Sequence, residues 1–128
     1  MTDAKKKILL VDDDTFLLDM YSIKFKEKGF EVHTAPSGED VIQKLTEGFV
    51  PDIILLDIVM PAMDGIEILE KIMNDKLAPS ADIIMLSNQS APATVDRALE
   101  LGAKGYIIKA STIPSEVYDE VIKIVSKK

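Results

Sequence analysis

Five short apolar runs alternate with five amphipathic stretches along this chain. The runs are Ile8–Val11, Phe30–Thr34, Asp52–Leu56, Asp82–Leu86 and Tyr106–Ile108. Within the third, Ile53-Ile54-Leu55-Leu56 has no polar alternation, which reads as a strand buried on both faces, the habit of parallel sheets. After the first run, Leu17, Tyr21 and Phe25 recur at i, i+4 and i+8 on one face of a helix that Gly29 should end. Ser37 and Asp40 have the spacing of a capping box ahead of Val41 and Leu45. Asp64 is placed to cap a third helix with Ile66, Leu69, Ile72 and Met73 on its apolar face, and the loop 74–81 follows it. Ser90 is expected to cap a fourth helix, with Pro92 in its first turn and Gly102 at its end. The fifth should begin near Pro114 and bury Val117, Val121 and Val125.

Strict alternation of strands and helical crossovers predicts an α/β fold: a five-stranded, doubly wound parallel sheet with helices on both faces. No linker, repeat or low-complexity segment interrupts it, so a single domain is expected over residues 1–128. That length suffices to bury a real core. Composition narrows the chemistry. With no Cys there are no disulfides, thiolate metal sites or cysteine nucleophiles, and the lone His33, expected at the surface, leaves no histidine-rich metal site or Ser-His-Asp triad. The six Met are expected as core and loop filler. A net charge of −7 argues against direct nucleic-acid binding, which needs phosphates neutralised. No apolar stretch reaches membrane-spanning length and no signal-peptide pattern opens the chain, so a cytoplasmic location is expected.

In a parallel sheet the carboxyl ends of all strands meet at one edge, where open α/β folds hold their ligands. Asp12, Asp13 and Asp14 follow the first run, Asp57 the third and Lys109 the fifth, while Ser87 closes the fourth. Carboxylates crowded together repel unless a cation or a proton intervenes, and a site of hard oxygens suits Mg²⁺ (or Mn²⁺). A hydroxyl and an ammonium beside that cation complete a site for a tetrahedral phosphoryl group.

The segments Ile8–Asp14, Asp57–Gly65, Ile83–Ser87 and Gly102–Lys109, in this order and spacing, resemble the receiver domain of bacterial two-component response regulators over essentially the whole chain. The resemblance implies a flavodoxin-like sheet of order 2-1-3-4-5. It implies Asp57 as phosphoacceptor, with Asp12, Asp13, Asp57 and the Val59 backbone carbonyl around Mg²⁺. Asp14 would cap the first helix rather than bind metal. Ser87 would be the switch hydroxyl, Lys109 the partner of the phosphate, and Tyr106 the aromatic that reports the state. A histidine kinase or histidine phosphotransfer protein would donate the phosphoryl group to a receiver that signals by protein contact. Its face on helix four, strand five and helix five would then change its downstream partners, with dimerisation as one possible outcome of phosphorylation.

Four positions depart from that pattern. Ala110 follows Lys109 where the family usually has a proline after a cis bond. A cis bond to a non-proline costs about 2.5–4 kcal/mol, so a trans bond and an altered loop are expected. Asn88 replaces a small residue and is expected to narrow access to Asp57. Val59 and Gln89 flank the acceptor where side chains tune attack by water; apolar Val59 cannot orient a water, so slow self-dephosphorylation is expected, with Gln89 the one helper. Two other classes of function compete. A small aspartate-nucleophile phosphatase would need an acid two residues beyond Asp57, where Val59 stands. A pseudo-receiver that only binds partners would have no use for the acidic pair, acceptor, hydroxyl and lysine together.

Overall fold

The computed structural model describes residues 6–88 and 90–126 of the chain. Five parallel strands, β1 (Lys7–Val11), β2 (Glu31–Ala35), β3 (Ile53–Leu56), β4 (Asp82–Ser87) and β5 (Gly105–Ile108), form one sheet in the order β2-β1-β3-β4-β5. Helices α1 (Thr15–Glu27), α2 (Gly38–Thr46), α3 (Gly65–Asn74) and α4 (Pro92–Glu100) make the four crossovers, and α5 (Pro114–Ser126) follows the last strand. β1, β3 and β4 bury both faces, as their unbroken apolar runs require. Leu9, Ile54 and Met85 join a core with Val41 of α2, Leu69 of α3 and Ala98 of α4. Ile8, Ile53 and Ile84 join a second core with Phe25 of α1 and Val121 of α5. The lone histidine, His33, lies on the edge strand β2, half exposed, against Glu31 at 2.7 Å and the Phe49 ring at 4.3 Å.

Register sets where the chemistry falls. Val11 of β1 pairs with Leu56 of β3, so the next residues, Asp12 and Asp57, leave the sheet side by side. Leu56 pairs with Met85 and Met85 with Tyr106, so β4 and β5 run two residues further to Ser87 and Ile108, followed by Lys109.

The helix boundaries follow local chemistry. Asp14 accepts hydrogen bonds from the Phe16 and Leu17 amides and caps α1, which ends before Gly29 at φ 91°. Asp64 and Glu67 form a reciprocal capping box on α3. At α2 the Ser37 hydroxyl accepts from the Asp40 amide but turns its proton to the Asp40 carboxylate, so only half of the expected box is formed.

Three expectations are corrected. Ser90 does not cap α4; the N-cap is Ala91, with no side-chain hydrogen bond, and Pro92 occupies the first turn as expected. The buried face of α3 is Ile68, Leu69 and Ile72, while Met73 is exposed, because Ile68 lies one turn from Ile72 and takes the core-facing row. Val125, in the last turn of α5, is only half buried, packed against the core that encloses Val117 and Val121. The methionines divide likewise: Met60 and Met85 are buried, but Met20 and Met73 face solvent.

The bare cap of α4 leads to a prediction. Ala91→Ser should raise the unfolding free energy by about 1 kcal/mol, by giving an orphan helix amide an acceptor. Denaturant unfolding would check it; an unchanged midpoint would mean that the first turn of α4 is already satisfied.

Candidate functional site

Asp12 and Asp57 are nearly inaccessible, at 3% and 5% exposure, and Ser87 is fully buried. The two carboxylates are held alike. Asp12 Oδ1 accepts from the Asp14 amide at 2.9 Å, and Asp57 Oδ1 from the Ile58 amide at 2.8 Å. Their second oxygens share one cation: Lys109 Nζ donates to Asp12 Oδ2 at 2.6 Å and to Asp57 Oδ2 at 3.3 Å. One arm is short and one long, so Asp57 Oδ2 is the more loosely held oxygen.

The electrostatics follow from this crowding. Burial pushes the Asp57 carboxyl above the usual range; Lys109 opposes that and the Asp12 charge adds to it. Burial alone would lower the Lys109 ammonium, but its bond to Asp12 and the charges of both aspartates outweigh burial and raise it.

Asp13 is exposed, yet one oxygen from each of Asp12, Asp13 and Asp57 lies within 4.8 Å of the others. Three carboxylates against one ammonium leave two uncompensated negative charges, the charge of one divalent cation. The donor set is entirely hard oxygen, as Mg²⁺ requires. These residues therefore fit such an ion.

The cleft above them, about 400 Å³, is lined by Asp12, Asp13, Asp14, Leu17, Asp57, Val59, Ser87, Asn88 and Lys109. Val59 and Asn88 are exposed on its rim, and Gln89 lies outside the described residues. Tyr106 is half buried on the α2–α4 side of the sheet. Burial raises its phenol, and a hydrogen bond with Ser87 opposes the rise. Every described peptide bond is trans, Lys109–Ala110 included, and Lys109–Ser111 forms a 3₁₀ turn closed by the Thr112 amide on the Lys109 carbonyl.

Two residues were not singled out by sequence reasoning. Gly65 donates its amide to the Ile58 carbonyl at 2.8 Å, and a Cβ there would stand 2.2 Å from the Asp57 carbonyl oxygen. A glycine directly after a capping aspartate, inside a helix, was the available signal. Ala62 sits at φ 70°, a left-handed conformation that costs a residue with a Cβ about 1–2 kcal/mol. Ala62→Gly should therefore stabilise the protein by about 0.5–1 kcal/mol after the greater chain entropy of glycine is counted. Thermal or urea unfolding would show it; a destabilised variant would mean that the Ala62 methyl makes a contact worth more than the strain.

A parallel α/β sheet with clustered carboxylates, a buried hydroxyl and an ammonium at its carboxyl edge has the architecture of a phosphoryl-handling module. The chain belongs to the response regulator receiver domains, whose family model matches residues 8–120. These are the phosphoaccepting modules of two-component signalling. The chemotaxis protein CheY of Thermotoga maritima is 37% identical over 120 residues, 93% of this chain and 97% of that protein. A CheY-like receiver domain from Methanospirillum hungatei superposes with a TM-score of 0.85 at 31% identity, over 96% of each chain. The structure of a CheX–CheY–BeF3–Mg²⁺ complex from Borrelia burgdorferi gives 0.84 at 34% identity, over 95% of this chain and 90% of that one. Among the described residues no helix is long and apolar enough to cross a membrane.

Proposed function

We propose that Asp57 is the phosphoacceptor, that Asp12, Asp13, Asp57 and the Val59 carbonyl hold Mg²⁺ or Mn²⁺, and that the donor is a phosphohistidine on a kinase or phosphotransfer protein. One observation carries this reading: two buried carboxylates share Lys109 unequally, at 2.6 and 3.3 Å. Asp12 holds the ammonium in place, which leaves Asp57 Oδ2 free to attack. Its bond to phosphorus forms as the phosphorus–nitrogen bond breaks, and the electron pair leaves with the donor imidazole. A divalent cation, held by Asp12, Asp13 and Asp57, would supply charge neutralisation to the oxygens of the transferring group. Lys109, already raised towards its charged form, moves from the Asp57 carboxylate to the new phosphoryl oxygens. The acyl phosphate brings about 1.5 to 2 negative charges and three acceptors. The Ser87 hydroxyl turns to one of these and gives up Tyr106, changing the α4–β5–α5 face that downstream proteins read.

On this reading the chain acts on no substrate but itself, catalysing only its own phosphorylation and dephosphorylation. The test is acetyl phosphate with Mg²⁺, followed by intact mass and by mapping the label after borohydride reduction. Label on Asp57 is the expected result; no gain in mass, or label elsewhere, would overturn it.

The rim sets the lifetime. Val59 is 56% exposed beside the acceptor and offers no group to orient a water. The phosphoryl group should persist for minutes or longer, and loss of radiolabel within seconds would count against this. Asn88→Ala, which opens the rim, should be labelled faster by acetyl phosphate than wild type.

A further inference from the structure

Helices α1, α2, α3 and α4 all end in the same backbone closure, and α3 alone of the four closes on a residue with a side chain. At α1 the Gly29 and Phe30 amides donate to the Lys26 and Phe25 carbonyls; at α2 Gly48 and Phe49 donate to Leu45 and Lys44. At α4 Gly102 and Ala103 donate to Leu99 and Ala98. This closure needs a positive φ and so favours glycine; Gly29, Gly48 and Gly102 stand at 91°, 105° and 115°. At α3 the Lys76 and Leu77 amides donate to Met73 and Ile72 at 3.4 and 3.0 Å, and the residue at positive φ, 53°, is Lys76. The closure accounts for the conformation and not for the lysine. Nor is a cation lacking at this helix end, since Lys71 already lies in the last turn of α3. Backbone strain of this kind clusters at ligand clamps and switch regions.

Lys76 lines a cavity of about 130 Å³ between the end of α3, the start of β4 and the turn into β5. The other walls are apolar: Ile72, Met73, Ala78, Pro79, Ala81 and Ile83, with Gly102 as bare backbone. An apolar cavity of about 150 Å³ stays dry and takes up benzene, so this one suits a body of about six carbons. Met73 makes a movable wall. It is 42% exposed, and a Cβ on Gly102 would lie 2.5 Å from its Cε, so only glycine leaves this flexible side chain its place.

Lys76 supplies the charge. The other cations of α3, α4 and the turn into β5 are already paired: Lys71 with Asp75 at 2.7 Å, Arg97 with Glu70 at 2.7 Å and Lys104 with Asp82 at 3.5 Å. Lys76 has no ion-pair partner among the described residues and is the one charged member of the lining. We infer that this cavity is a binding site for a small carboxylate with an apolar body of about six carbons, whose charge pairs with Lys76. The site stands apart from Asp57. Ile83 in its wall and Ser87 in the carboxylate cleft are four residues apart on β4, about 13 Å along the strand.

Benzoate is the probe, with benzyl alcohol and benzylamine as its neutral and cationic counterparts. Methyl NMR of protein labelled at Ile, Ala and Met reads the site. Benzoate should shift the Ile72, Met73, Ala78, Ala81 and Ile83 methyls along one saturable curve, with a Kd of about 1 mM or below. Benzyl alcohol should bind about threefold more weakly, the modest gain expected of an exposed ammonium, and benzylamine more weakly still. Lys76→Asn keeps a residue that tolerates positive φ and should bind benzoate and benzyl alcohol alike, whereas Lys76→Arg should keep the preference. Ala81→Leu, which fills the cavity, should bind neither. Absence of a saturable shift with benzoate would overturn the inference, as would shifts confined to other methyls. Equal binding of all three probes to wild type, or an undiminished preference in Lys76→Asn, would do the same. Asp57→Asn should bind benzoate as wild type does; a loss there would place the benzoate in the carboxylate cleft and refute the site at Lys76.

Discussion

Asp57→Asn should abolish phosphoryl acceptance from every donor and, in metal-free buffer, make the protein more stable than wild type. The first effect is total because the amide nitrogen and carbonyl of Asn cannot form the acyl phosphate. The second follows from the cost of a buried charge. Burial and the neighbouring Asp12 raise the Asp57 carboxyl despite Lys109, so the native state holds this proton more tightly than the unfolded chain does. Stability from this group therefore falls as pH rises from the unfolded value, about 3.9, through the raised native one. At neutral pH the full cost stands, and Asn removes it. The advantage of Asn should shrink to nothing as pH falls below the unfolded value, where both side chains are neutral. A divalent cation held as proposed by the native carboxylates and not by the unfolded chain would favour the folded state, so added Mg²⁺ should stabilise wild type more than the variant. Urea titrations in EDTA and in Mg²⁺ across acidic to neutral pH would check all three. A variant less stable than wild type in EDTA at neutral pH would show that the Lys109 ion pair outweighs the burial penalty.

Gly65→Ala should cost about 3 kcal/mol and slow phosphorylation by more than tenfold. The added Cβ would lie 2.2 Å from the Asp57 carbonyl oxygen, 2.7 Å from Ile58 Cα and 2.9 Å from the Asp57 carbonyl carbon. All three are backbone atoms, so no side-chain rotation relieves the clash. Either α3 withdraws, breaking the 2.8 Å bond from the Gly65 amide to Ile58, or the Asp57 peptide itself shifts. Both displace Asp57, the proposed phosphoacceptor. Denaturant unfolding together with acetyl phosphate labelling would test it. A variant of unchanged stability would mean that the β3–α3 junction yields without strain.

Much of this architecture was legible in the apolar runs. β1, β3 and β4 are unbroken because helices cover both faces of the sheet, and that same feature brings the residues after them to one edge. Asp14, Asp64, Gly29 and Gly102 marked helix ends because capping and left-handed turns depend on nearby atoms alone. Ser90 misled for an instructive reason. A cap residue must sit at the exact turn where the chain enters the helix, and the loop from β4 brings Ala91 there instead. Met73 misled because apolar character fits either side of a helix edge, and Ile68 takes the place nearer the sheet.

By itself the sequence determined the strands, the helices, their parallel alternation and the identity of every charged group at the carboxyl edge. Periodicity and caps are local, and local chemistry suffices for them. The tertiary structure decided how those groups share one another: Lys109 divided unequally between Asp12 and Asp57, Ser87 bonded to Tyr106, and Gly65 pressed against the Asp57 peptide. It also decided that Lys76 closes α3 beside an apolar cavity. These depend on strand register and helix rotation, which join residues up to 97 positions apart and which no short window of sequence contains.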